Sequence, residues 1–125
     1  MFEIKVSAEF EAAHRIAGYK GKCDRLHGHS WTVEAAVTGT RLDELGMLVD
    51  FKLVKGRLRE LLETLDHMFL NDLEPFSVGI NPTAENIAKY IYSEMAKAEF
   101  LTEDIKLKHI QVWESPKSSV IYTED

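Results

Sequence analysis

From Phe2 to His14 the chain alternates residue character at every step. The even positions are Phe2, Ile4, Val6, Ala8, Phe10, Ala12 and His14; the odd positions are Glu3, Lys5, Ser7, Glu9, Glu11 and Ala13. Successive side chains of a strand point to opposite faces, so this period of two describes one long strand with an apolar face and a polar face. A comparable stretch follows. From His27 to Thr38 the odd positions are His27, His29, Trp31, Val33, Ala35 and Val37, and the even ones include Gly28, Ser30, Thr32, Glu34 and Thr38. Residues 15–26 carry Gly18, Gly21 and several charges, and read as the loop between the two strands.

The rest of the chain changes period. After a turn over Gly39–Gly46 and the short run Met47–Val49, Asp50 is placed to cap a helix. Phe51, Val54, Leu58, Leu61, Leu62 and Leu65 then recur at helical spacing. Residues 70–82 are irregular. A second helix starts near Asn81–Thr83, with Ala84, Ile87, Ala88, Ile91 and Met95 as its stripe. Ile105–Glu114 and Ser119–Tyr122 read as strands joined by a short turn. The order β-β-α-α-β-β predicts an α+β fold, two helices on one antiparallel sheet, with residues 1–125 as a single domain.

Composition narrows the function classes. One cysteine, Cys23, cannot make an internal disulfide, which points to a reducing compartment such as the cytoplasm. No stretch approaches the roughly 20 apolar residues of a membrane span. A net charge of -6 argues against a nucleic-acid surface and leaves a small-molecule pocket open.

The histidines carry the sharpest signal. If the first two strands form an antiparallel hairpin, the end of one lies beside the start of the other. His14, His27 and His29 all have the apolar parity, so three imidazoles meet at one corner of one face. Buried together without a ligand, they would leave ring nitrogens needing partners. Three histidines with an open fourth position are the arrangement of a catalytic zinc site. His109, alone in its segment, reads as structural or exposed.

Five other residues have more than one reading. Cys23 could be a fourth zinc ligand, an ordinary loop thiol, or a thiolate activated by a nearby cation. Asp66 and His67 follow a helix, where the histidine could merely complement the helix dipole. Glu114 shares parity with Ile110 and Val112, where a carboxylate needs a partner; the paired N–H donors of a heterocycle edge would supply one. Thr83 could simply cap the second helix.

Phe10-Glu-Ala-Ala-His-Arg15, Cys23-x3-His-Gly-His29, Val49-Asp-Phe51, Leu65-Asp-His67, Asn81-Pro-Thr-Ala-Glu-Asn86 and Glu114 occur in this order along the chain. The ordered set resembles the 6-pyruvoyltetrahydropterin synthase family, and within it the bacterial queuosine-pathway branch. The resemblance implies the tunnelling fold, with subunits closing into trimeric barrels that pair as homohexamers and active sites between subunits. It implies Zn2+ on His14, His27 and His29, Cys23 as the catalytic base, and Asp66 with His67 as a proton relay. It implies Glu114 as the pterin anchor and Thr83 as a neighbour of the pterin. The reaction implied is a lyase step on 7,8-dihydroneopterin triphosphate giving 6-carboxy-5,6,7,8-tetrahydropterin, acetaldehyde and triphosphate. The pyruvoyl-forming reaction of the same family and a non-catalytic zinc module are the rival expectations.

Overall fold

In a computed structural model, residues 1–21 and 25–124 are described. The two alternating stretches are strands β1 (Phe2–His14) and β2 (His27–Gly39). They pair antiparallel over their whole length, from Phe2 opposite Gly39 to His14 opposite His27. Helix α1 (Phe51–Glu63) follows, then a two-residue strand β3 (Met68–Phe69), two short 3-10 turns, and helix α2 (Ala84–Met95). Strands β4 (Ile105–Ser115) and β5 (Ser118–Tyr122) complete the chain.

The sheet order is β3-β1-β2-β4-β5. Its four long strands are antiparallel neighbours, as the alternation predicts. The parallel edge strand β3, paired at Ala12–Met68 and Ala13–Phe69, is an addition that sequence periodicity does not reveal. Two residues are too short a segment to show a period.

Both helices lie on the face of even β1 residues. Val54, Leu58, Leu61 and Leu62 of α1, and Ile87, Ala88, Ile91 and Met95 of α2, join Phe10, Trp31, Val33, Ile110 and Val112 in one buried cluster. Trp31 is wholly buried and stacks on Phe10 with ring centroids 5.9 Å apart. Burial of such a side chain contributes about 1.5–3 kcal/mol. Phe51, at the start of the α1 stripe, is instead 59% exposed.

Both predicted caps form. Asp50 accepts from the Lys52 N–H at 2.8 Å, and Thr83 Oγ1 accepts from the Asn86 N–H at 3.1 Å. Gly39 ends β2 where only glycine fits, since a Cβ there would lie 2.5 Å from both the Asp104 carbonyl and a Leu48 methyl. Among the described residues, no helix is long and apolar enough to cross a membrane.

Candidate metal centre

The β1–β2 register decides the site. Ala12 faces His29 and His14 faces His27, so the three imidazoles emerge side by side at one corner of the helix-covered face. Their ring centroids are 4.5 Å (His14–His27), 5.2 Å (His14–His29) and 4.8 Å (His27–His29) apart. Trp31, two residues along β2, presents its ring edge-on to His14 and His29 at 5.1 and 5.4 Å. The corner thus has an apolar floor and imidazole walls.

Backbone carbonyls set two tautomers. His14 Nδ1 donates to the Pro82 carbonyl at 2.7 Å, and His27 Nδ1 donates to the Arg25 carbonyl at 2.7 Å. A ring nitrogen engaged in this way leaves Nε2 as the lone-pair donor, the usual outer arrangement around a metal-binding histidine. Pro82 comes from the stretch before α2. No feature of the sequence marks its carbonyl as part of the site.

Glu114 joins the group. It has the parity expected from Ile110 and Val112, and its Oε1 lies 3.1 Å from His29 Nε2. That is an ion-pair distance without hydrogen-bond alignment, and His29 Nε2, like His14 Nε2, is buried with no hydrogen-bond partner. Each of His14, His27, His29 and Glu114 offers one ligand atom, all within 4.8 Å of one another. Three nitrogens and a carboxylate oxygen suit zinc, and imidazole also suits iron, nickel or copper. Two orphaned ring nitrogens facing this group are what a bound cation would satisfy.

Burial lowers the pKa of both His14 and His29. The Pro82 carbonyl opposes this at His14, and the Glu114 carboxylate opposes it at His29; neighbouring His27 reinforces it at both. Neutral imidazole is the form that ligates a metal.

Asp66 and His67 lie elsewhere. Asp66 Oδ1 accepts from the Glu11 N–H at 2.8 Å, and the His67 N–H returns a bond to the Glu11 carbonyl. Asp66 Oδ2 sits 2.9 Å from His67 Nδ1, fixing the ring. Those contacts hold Asp66 below the usual carboxylate range, the Glu11 N–H most of all, then His67. His67 lines a depression that Glu11, Ala12, Ala13, Gly28, His29 and Ser30 also line. Glu11, Ala13, Gly28 and Ser30 have the opposite parity to the three clustered histidines, with Ser30 Oγ donating to Glu11 Oε2 at 2.7 Å across that face, while Ala12 has the parity of the cluster. The expected pair therefore forms at the β1 edge, tied to the Glu11 backbone, and His29 of the imidazole cluster lines the same depression.

Cys23 lies outside the described residues. Thr83 is engaged as a helix cap. His109 is buried, as the structural reading has it, and its Nε2 lies 2.9 Å from Glu34 Oε2.

Residues 3–125 match the model of the family described as 6-pyruvoyl tetrahydropterin synthase. The chain belongs to that family. A 6-carboxy-5,6,7,8-tetrahydropterin synthase from Rickettsia felis is 31% identical over 128 residues, covering 90% of this chain and 93% of the relative. One from Synechocystis is 40% identical over 104 residues, covering 78% of each chain. The solved 6-pyruvoyl tetrahydropterin synthase of Caenorhabditis elegans superposes with a TM-score of 0.86 at 25% identity, covering 99% of this chain and 96% of that one. The family's α+β architecture, two helices on one sheet, is thus the one observed.

Proposed function

We propose that this chain is a zinc-dependent lyase that converts 7,8-dihydroneopterin triphosphate and water to 6-carboxy-5,6,7,8-tetrahydropterin, acetaldehyde and triphosphate. The observation that carries the reading is the group of three imidazoles with two buried, unpartnered nitrogens beside a carboxylate. Relatives named for this product, at 31% and 40% identity, support this branch. The three-residue gap between Cys23 and His27 agrees with it. The pyruvoyl-forming reaction is the second reading, favoured by the likeness to the 6-pyruvoyl tetrahydropterin synthase of C. elegans.

In this proposal His14, His27 and His29 hold the zinc, which when bound supplies a Lewis acid to the oxygens of the substrate side chain. Cys23, as thiolate, removes a proton from that side chain. His67, oriented by Asp66, gives protons back. Glu114 accepts neighbouring N–H bonds from the pterin edge. The Thr83 hydroxyl caps α2 through a lone pair and keeps its own hydrogen for the substrate. The chain acts as one domain over residues 1–125. Asp66 and His67 bond to each other and to the Glu11 backbone, outside the group of ligand atoms of His14, His27, His29 and Glu114. The site is completed when a second copy brings its own Asp66 and His67 to the zinc, in trimeric rings paired as hexamers. The outer edge of β1 from Phe2 to Phe10, uncovered by β3, is a surface on which such a ring can close.

Mass spectrometry of the products from 7,8-dihydroneopterin triphosphate tests the reaction. A 6-carboxytetrahydropterin mass together with acetaldehyde is expected; a pyruvoyl product would move the protein to the second reading.

Two substitutions test the roles. Cys23→Ala is expected to retain zinc and fold while turnover falls by about 10²–10⁴, the usual contribution of a positioned base. Release of zinc from that variant would make the thiol a ligand instead. Glu114→Gln keeps size and loses charge. It is expected to lower kcat/KM by roughly 10–100-fold, the loss of a charge-assisted bond worth about 1.5–3 kcal/mol, with zinc content unchanged. A parallel loss of zinc would reassign Glu114 to the metal.

A further inference from the structure

β1 ends at His14, yet the backbone beyond it stays tethered. Asn71 spans Arg15 with both ends of its side-chain amide: Oδ1 accepts from the Arg15 N–H at 2.9 Å, and Nδ2 donates to the Arg15 carbonyl at 2.9 Å. Asn81 does the same to Ala17, accepting from its N–H at 3.0 Å and donating to its carbonyl at 3.0 Å. In a strand, the N–H and C=O of one residue point to the same side, and residues two apart repeat that direction. Each asparagine therefore engages both backbone groups of one residue, as a peptide unit of a neighbouring strand would. The two together tether the backbone past the end of β1, beyond the point where Met68 and Phe69 pair with Ala12 and Ala13.

Asn81 is itself fixed. Its carbonyl accepts from the Thr83 N–H at 2.8 Å and from Asn86 Nδ2 at 2.9 Å. The next residue, Pro82, supplies the carbonyl that engages His14 Nδ1. Asn81 thus grips the chain that follows His14 and also fixes the turn whose carbonyl holds the imidazole ring. Asn71 grips the chain alone.

We infer that Asn71 and Asn81 are positioning residues for the metal ligand His14. They hold its backbone and, through Pro82, its ring in the geometry that presents Nε2 to the zinc. The inference rests on the proposed zinc site. Neither asparagine touches metal or substrate; both act through His14. Loss of an outer partner of a metal-binding histidine typically changes metal affinity or activity by about 10–100-fold.

The test is the rate at which zinc passes from the loaded enzyme to a chromophoric chelator, at a temperature well below unfolding. N81A is expected to release zinc roughly 10–100-fold faster than the unsubstituted protein, and N71A by a smaller factor. N71D and N81D keep the shape and the acceptor but set an oxygen against a carbonyl, so they should also release faster. V54A, a cavity in the core far along the chain from these contacts, is the control for general loss of stability and should release zinc at the original rate. An N81A or N71A protein that holds zinc as well as the original overturns the inference. So does a V54A protein that loses zinc equally fast at equal thermal stability. Should N81A not fold, N71A and N71D decide on the same comparison. If the unsubstituted protein binds no zinc at all, the metal site itself is refuted, which is a separate result from a zinc-bound enzyme indifferent to its asparagines.

Discussion

His14→Ala is expected to lose zinc and turnover together. His14 is the most deeply buried of the clustered imidazoles, 1% exposed, and its ring bonds to the Pro82 carbonyl and meets Trp31 edge-on. Removing it takes one of three nitrogen ligands, and zinc is almost always four-coordinate with three protein ligands in catalytic sites. It also leaves the Pro82 carbonyl unpartnered beside a cavity, so some stability should go with it, on the order of 1–3 kcal/mol. His109→Ala separates the two effects. His109 is also buried and also paired, with Glu34, but on the far face of the sheet. It should lose a comparable amount of stability yet keep its zinc and activity. Metal content per chain by atomic emission, measured beside turnover, gives the comparison. A His14→Ala protein with full zinc and full activity would remove His14 from the site.

Mixing two inactive variants should restore activity. His29→Ala lacks an imidazole of the cluster, and His67→Asn lacks the relay. If each site draws its imidazoles from one subunit and its relay from another, co-assembled chains form some sites with both parts intact. For equal amounts in random, head-to-tail association, about a quarter of the sites would be complete. The measurement is turnover of the two variants denatured and refolded together, against each refolded alone. Were the mixture as inactive as its components while forming mixed oligomers, the site would not be shared. The expectation comes from the place of Asp66 and His67 on the Glu11 backbone, outside the group of ligand atoms of His14, His27, His29 and Glu114.

The long strands and both helices are legible in the sequence because each repeats its period many times. The convergence of His14, His27 and His29 is legible for the same reason: parity and hairpin direction place them before any coordinates are known. Glu114 is half legible. Its parity foretells the face it shares with Val112, but its approach to His29 depends on how β4 registers against β2, and a β-bulge near Ala36 shifts that register. β3 and the grips of Asn71 and Asn81 are not legible. They lie in the irregular residues 70–82 or beside them, where partners are distant in sequence and no repeat announces them. The Pro82 carbonyl is invisible for a simpler reason: every residue has a carbonyl, and only tertiary structure selects one.

His67 has φ 57°, the left-handed region that residues with a Cβ seldom occupy. A residue other than glycine or asparagine held there costs on the order of 1–2 kcal/mol. The strand β3 begins at the very next residue, so the backbone at this position joins the proposed relay to the sheet edge. Any substitution series at position 67 consequently varies two quantities at once, the imidazole and the ease of a backbone turn. Asparagine tolerates that turn, and alanine does not. Loss shared by His67→Asn and His67→Ala belongs to the missing ring; any excess in alanine measures how strongly the placement of the relay depends on one unusual dihedral angle.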